Sequence, residues 1–211
     1  MYELFYFPSN ASLAPHFVLE EVGASFELRL VDRKINGQKD PEYMKRNPMG
    51  RIPTLVDRDL VLFESAAICL HLADKHPDAQ LAPPVGSADR AHLYKWMAFL
   101  TNTIQPDFMA FFYPEKHTTD PDGIKAVKAS AEGRLDAAYT VVNEALGQGG
   151  PYLLGKSISV ADFYLLMEVH WGSAQTNRPQ RLDNIRRCVD LVSQRPSVQR
   201  AAAAEGLSRL Y

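Results

Sequence analysis

Three short segments carry polar groups that could hold an extended, doubly charged small molecule. Pro8-Ser9-Asn10-Ala11-Ser12 brings two hydroxyls and an amide to a turn between an aromatic strand and a helical run. Unpaired N–H groups and the dipole at a helix N-terminus stabilise an anion, a thiolate included. Ser9 or Ser12 could equally cap that helix. Asn47-Pro48-Met49-Gly50-Arg51-Ile52-Pro53 sets a proline where a strand begins, a place a sheet tolerates. A cis Ile52–Pro53 bond would turn the Ile52 N–H and C=O toward an extended peptide ligand, although spacing alone favours the ordinary trans form. In Phe63-Glu64-Ser65, at a strand-to-helix junction, Glu64 offers an acceptor for an ammonium. The Ser65 hydroxyl and the first helical N–H groups offer donors for a carboxylate, so a ligand bearing α-amino and α-carboxylate groups would satisfy both. The plainer alternative is that Ser65 only caps its helix. A fourth segment, Ser157 to Asp162, reads as structural. Ser159 and Asp162 have capping-box spacing, and Ile158 and Phe163 flank them as a hydrophobic staple.

The elements that must position these groups follow from periodicity. Tyr2–Phe7 is short, aromatic and closed by Pro8, as a buried strand is; Leu13, Phe17, Val18 and Val22 recur at helical spacing before Gly23. Residues 27–32 alternate as a second strand, and residues 40–46 form a short helix that Asn47-Pro48 ends. Residues 52–56 and 60–63, joined by Asp57-Arg58-Asp59, can only be an antiparallel hairpin, and residues 65–76 are helical with Ile68, Leu72 and Ala73 inward. The order is βαβαββα. Residues 77–87 hold three prolines and no apolar period, which marks a linker. Beyond it lie helices over 88–112, 121–146, 160–170, 182–194 and 196–203.

Composition narrows the function. The 211 residues are 46% apolar and 23% charged, as in soluble globular chains. Lys plus Arg is 23 against 25 Asp plus Glu, a net charge of −2 that argues against nucleic acid as a partner. No apolar run reaches membrane-helix length, and the start, MYELFYFPSN, reads as a strand and not as a leader. Cys69 and Cys188 form no CxxC pair, which suits a reducing cytoplasm. The chain lacks GxGxxG, GxSxG and HExxH patterns, and no His/Cys cluster suggests a metal. His71, on an apolar helix, reads as a satisfied core residue.

These segments, in this order, resemble the cytosolic glutathione S-transferases, most closely their bacterial beta class. PSNASLAPH (8–16) is similar to that class's first loop and helix, and 47–53 to its cis-proline motif. Glu64-Ser65 resembles its glutamyl-binding pair, and 157–162 the family's capping box. The resemblance implies a thioredoxin-like glutathione-binding domain over 1–80, a linker over 81–87 and an all-α domain over 88–211. It further implies a cis Pro53, an Ile52 that pairs by its backbone with the cysteinyl part of glutathione, and Glu64 and Ser65 holding the γ-glutamyl group. Tyr6, Lys34 and Gln105 fall at or near its other binding positions. The class has a catalytic cysteine where this chain has Ala11, and tends to have a histidine where it has Gln105. Chemistry through a protein thiol is thereby displaced by hydrogen-bond activation of the glutathione thiol. Ser12 is the first candidate donor, with Ser9 and Asn10 as rivals. Phe7, Phe108 and Phe112 are candidates for an acceptor pocket, which in the family lies between the domains. The expectation is a cytoplasmic homodimeric transferase using glutathione and no metal, acting on a small hydrophobic electrophile or a peroxide. The alternatives are a catalytically weak glutathione-binding protein, or a glutathione-dependent disulfide reductase with no thiol of its own.

Overall fold

A computed structural model describes residues 1–211. Strand β1 (Tyr2–Tyr6) leads into helix α1 (Leu13–Glu21), β2 (Phe26–Leu30), the one-turn helix α2 (Pro41–Met44), β3 (Thr54–Asp57), β4 (Leu60–Phe63) and α3 (Ser65–Lys75). The sheet order is β2-β1-β3-β4, with β1 parallel to β2 and antiparallel to β3. A parallel β1–β2 pair needs a crossover, which α1 supplies; two residues suffice to join antiparallel β3 and β4. This is the expected thioredoxin-like arrangement.

Alternation along β1 assigns its two faces. Tyr2 and Leu4 are buried on one, and Leu4 stands opposite Leu55 of β3. Leu13, Phe17 and Val18 of α1 and Ile68 and Leu72 of α3 are fully buried, each side chain contributing about 1.5–3 kcal/mol through the water it sheds. Phe5 and Phe7 point the other way and pack with Val31, Tyr43 and Ile52 in a smaller cluster. Helix α1 ends where Gly23 takes φ +64°, a left-handed turn that a side chain would strain.

The helical part holds α4 (Ala88–Phe99), a π-helical turn over Leu100–Ile104, α5 (Gln105–Phe112), α6 (Ile124–Gly149), α7 (Val160–Gly172), α8 (Asp183–Ser193) and α9 (Pro196–Ala204). The single helix expected over 88–112 is thus widened at its middle. Pro106 lacks an N–H and would collide with the carbonyl four residues back, and the wider turn, closed by Gln105 N–H to Leu100 O, relieves that clash. Helix α7 is apolar on nearly every side and buried from Val160 to Val169. Its start is the capping box expected of Ser159 and Asp162. Asp162 also accepts the Leu153 N–H at 2.8 Å, so one carboxylate ties a preceding loop to the helix.

The chain divides into two compact units: residues 1–82 with 192–210, and residues 83–191 with Tyr211. Helix α9, last in the sequence, packs on α1 within the first unit. No helix is long and apolar enough to cross a membrane. No group of three or more His, Cys, Asp or Glu side chains is placed to hold a metal ion.

Candidate functional site

Strand register gathers the candidate residues of the first unit. Phe5 pairs with Thr54 and Thr54 with Phe63, so β1 ends where β3 begins and β4 ends. Tyr6 pairs with Leu30, bringing the end of β2 to the same edge. The loop 7–12, Ile52-Pro53, Glu64-Ser65 and the Arg33–Ile35 turn with Lys34 therefore share one end of the sheet.

At the first loop, Ser9 takes φ +59° and its N–H donates to Glu205 Oε2 at 2.9 Å. Asn10 Oδ1 accepts the Ala11 N–H at 2.9 Å, which fixes the amide plane. Ser12 is fully buried; its Oγ donates to Phe7 O at 3.2 Å and accepts the Phe7 N–H at 3.4 Å. These two contacts let the Ser12 hydroxyl brace the turn. Ala11 is buried and Tyr6 half-buried.

In the second loop the Ile52–Pro53 bond is cis. Ile52 precedes the ladder, which starts at Thr54, and both Ile52 and Pro53 are buried. Gly50, at φ +57°, lies so near Gln38 O that a Cβ would sit 2.8 Å from it. Two residues that periodicity did not single out hold this loop. Tyr43 Oη donates to Arg51 O at 2.6 Å and lies 3.1 Å from Thr54 Oγ1. Asn47 Nδ2 donates to Arg51 O at 2.9 Å and to Pro53 O at 3.4 Å. Burial pushes the Tyr43 hydroxyl pKa up, which keeps it a donor.

Glu64 is exposed and takes φ +72°, a conformation costly for a side-chain-bearing residue. Its carbonyl starts the helix by accepting the Ile68 N–H at 3.0 Å, yet no side chain caps α3. Ser65 is buried at the helix's first position. Lys34 is exposed, with its backbone held by Asp32 Oδ1 at 2.8 Å.

The second unit holds the remaining candidates. Gln105 opens α5 and accepts a hydrogen bond from Tyr164 Oη at 2.5 Å. Phe108 is only 2% exposed and packs against Phe112, Tyr139 and Trp171, so it is a core aromatic and not an open pocket wall. Phe112 is 42% exposed. Phe7 belongs to the other unit and packs in the small cluster with Tyr43 and Ile52. Both cysteines are buried and free, and burial drives their thiol pKa values far up, which removes them as nucleophiles.

Comparison with known proteins fits this geometry. Residues 2–74 match the glutathione S-transferase N-terminal domain and residues 102–203 the glutathione S-transferase C-terminal domain. Glutathione S-transferase GstA of Escherichia coli O157:H7 is 33% identical over 207 residues, 97% of this chain and 99% of its own. The chain belongs to the glutathione S-transferase family. A sphingomonad glutathione S-transferase solved in complex with glutathione is 31% identical, with a TM-score of 0.85 over 98% of this chain and 100% of its own. A bacterial beta-class glutathione S-transferase of Sphingomonas chungbukensis is 30% identical, with a TM-score of 0.84 over 97% and 99%. The transferase fold places the Glu64-Ser65 pair and the cis-proline loop at one sheet end, while Glu205, Tyr43 and Asn47 enter only through tertiary contacts.

Proposed function

We propose that this family member binds glutathione at that sheet end and activates its thiol for attack on a small hydrophobic electrophile or a peroxide. The observation that carries the reading is the convergence of Ile52, Glu64-Ser65 and the 8–12 loop enforced by the β1–β3–β4 register. Ile52 would pair by its backbone with the cysteinyl part of the tripeptide. Glu64 would take the γ-glutamyl ammonium, and Ser65 with the uncapped start of α3 its carboxylate. Lys34 adds a cation at the same edge. The glutathione bound in the sphingomonad relative supports the same ligand here.

With Ala11 in place of a cysteine, the thiol must be activated without a protein sulfur. A free thiol of pKa about 8.5 is only a few per cent thiolate at neutral pH, so a donor aimed at sulfur is needed. Asn10 is the donor the geometry favours. Its Oδ1 accepts the Ala11 N–H, which leaves the amide's two N–H donors to serve a ligand, whereas the Ser12 hydroxyl already contacts Phe7 O. Ser9 stands as the second candidate. Gln105, whose side chain Tyr164 holds, remains a candidate for substrate binding and exposed Phe112 a candidate for the acceptor pocket. The protein would act as a cytoplasmic homodimer.

Titration calorimetry with glutathione, followed by aryl-halide conjugation across pH 6–9, tests this. Binding with a rate above background and an apparent thiol pKa below 8.5 is the expected result. Binding without turnover would make the chain a binding protein, and turnover of mixed glutathione disulfides alone would make it a disulfide reductase. Absence of binding would overturn the reading altogether.

A further inference from the structure

The two ends of the Arg51–Ile52 peptide unit are treated very differently. Its oxygen takes two donors, Tyr43 Oη at 2.6 Å and Asn47 Nδ2 at 2.9 Å. Its N–H, on Ile52, meets no acceptor within the chain and lies before the first ladder pair. A trans peptide is planar, so its C=O and N–H point in opposite directions. Pinning the oxygen inward therefore aims the N–H outward.

Both donors are built to pin. Tyr43 is 5% and Asn47 2% exposed, so water does not compete for these bonds, and a low-dielectric setting strengthens them. Tyr43 is itself wedged among Val31, Ile52 and Phe5, with its ring centroid 5.8 Å from that of Phe5. Asn47 is locked from its other side, where Oδ1 accepts the Met49 N–H at 3.2 Å. Two donors on one carbonyl also withdraw electrons along the peptide, which makes its N–H a better donor.

We infer that Tyr43 and Asn47 are positioning residues, which aim and polarise the Ile52 N–H for pairing with the backbone of a bound γ-glutamyl tripeptide. This rests on the proposed glutathione site, since only that reading gives the Ile52 N–H an acceptor. Neither side chain need touch the ligand: they act through the peptide plane. A buried tyrosine and asparagine that merely stabilise the loop would alter the unfolding midpoint and leave the affinity of the folded protein alone.

The test uses full-length Tyr43→Phe, which keeps the ring and removes one donor. Its glutathione Kd is expected to rise about 3–10-fold, the effect of one net hydrogen bond. At saturating glutathione, kcat should stay within about twofold of wild type and the apparent thiol pKa within about 0.3 unit, because the sulfur's own donors are untouched. The Ile52 amide proton should move upfield in a ¹⁵N-labelled sample. A folded Tyr43→Phe with wild-type affinity and an unmoved Ile52 resonance would overturn the inference, as would a kcat that falls as far as the affinity. Should that variant fail to fold, hydrogen exchange on the wild-type protein decides. The Ile52 amide should exchange readily when free and be slowed at least about tenfold by glutathione, while protection without ligand would overturn the inference. Wild-type protein that binds no glutathione at all would instead overturn the proposed function.

Discussion

Asn10 and Ser12 sit two residues apart and do different work. Ser12→Ala leaves the Phe7 N–H and C=O without their shared hydroxyl partner, and is expected to cost about 1–3 kcal/mol in urea unfolding without moving the pH–rate profile. Asn10→Ala should do the reverse: little change in unfolding midpoint, an apparent thiol pKa shifted upward and kcat/KM lowered by about tenfold, the loss of one charge-assisted bond to sulfur. Glu64 presents a different conflict. At φ +72° it holds a conformation that glycine adopts without penalty, so Glu64→Gly should raise stability by about 1 kcal/mol. It should also weaken glutathione binding, since the ammonium acceptor is gone. Calorimetry and denaturant unfolding on the same sample read the two opposite signs.

Helix α7 carries an acid that nothing in the chain satisfies. Glu168 is fully buried, and neither carboxyl oxygen has a hydrogen-bond partner in the chain; burial alone pushes its pKa well above the usual carboxylate range. The sign follows. The native state keeps a proton that the unfolded chain releases above about pH 4.3, so this residue's contribution is fully present below that pH and lost as pH rises. Asp162 titrates in the same sense, pushed up to about 6 by burial despite the N–H groups that bind its carboxylate. Glu168→Gln should therefore be more stable than wild type at pH 7. Its urea midpoint should also fall less steeply between pH 4 and 7, the remaining slope near pH 4–6 belonging to Asp162.

Elements were the most legible level of this sequence. Strand and helix order, the β3–β4 hairpin and the α7 capping box all follow from patterns a few residues long. The π-helical turn is written in Pro106, yet a proline equally allows a kink or a stop, and periodicity cannot choose among them. Site roles were less legible. The direction of the Ser12 hydroxyl depends on loop geometry, and Phe108 carries the same apolar signal whether it lines a pocket or fills a core. Tyr43 and Asn47 act through a carbonyl 8 and 4 residues away, and no spacing rule flags a backbone acceptor.

At the scale of the whole molecule, residues 192–210 complete the first unit. Helix α9 and its flanks tie to α1 through acids and bases more than 170 residues apart in sequence. Arg195 and Ser197 hold Glu21, Arg200 holds Glu20, and Glu205 meets His16 Nδ1 at 2.8 Å with both side chains fully buried. Glu21 is buried enough to raise its pKa, but the bonds from Arg195 and Ser197 outweigh that and lower it. Its stabilisation is accordingly present above its unfolded pKa and lost as pH falls through the lower folded value. Glu205 matters further because its second oxygen accepts the Ser9 N–H, in the loop that would carry the thiol donor. Glu205→Ala strands the buried His16 ring and frees Ser9 from its left-handed conformation. A cost of about 3–5 kcal/mol is expected in urea unfolding, with faster amide exchange at Ser9 and Asn10. Glu205→Gln keeps one oxygen for the Ser9 N–H while its amide faces the His16 ring, which can change tautomer to accept. If the Ser9 bond is what orders the loop, the glutamine variant recovers slow exchange there and most of the stability. Rapid exchange in both variants would mean that the carboxylate charge, and not the bond geometry, holds this corner of the first unit together.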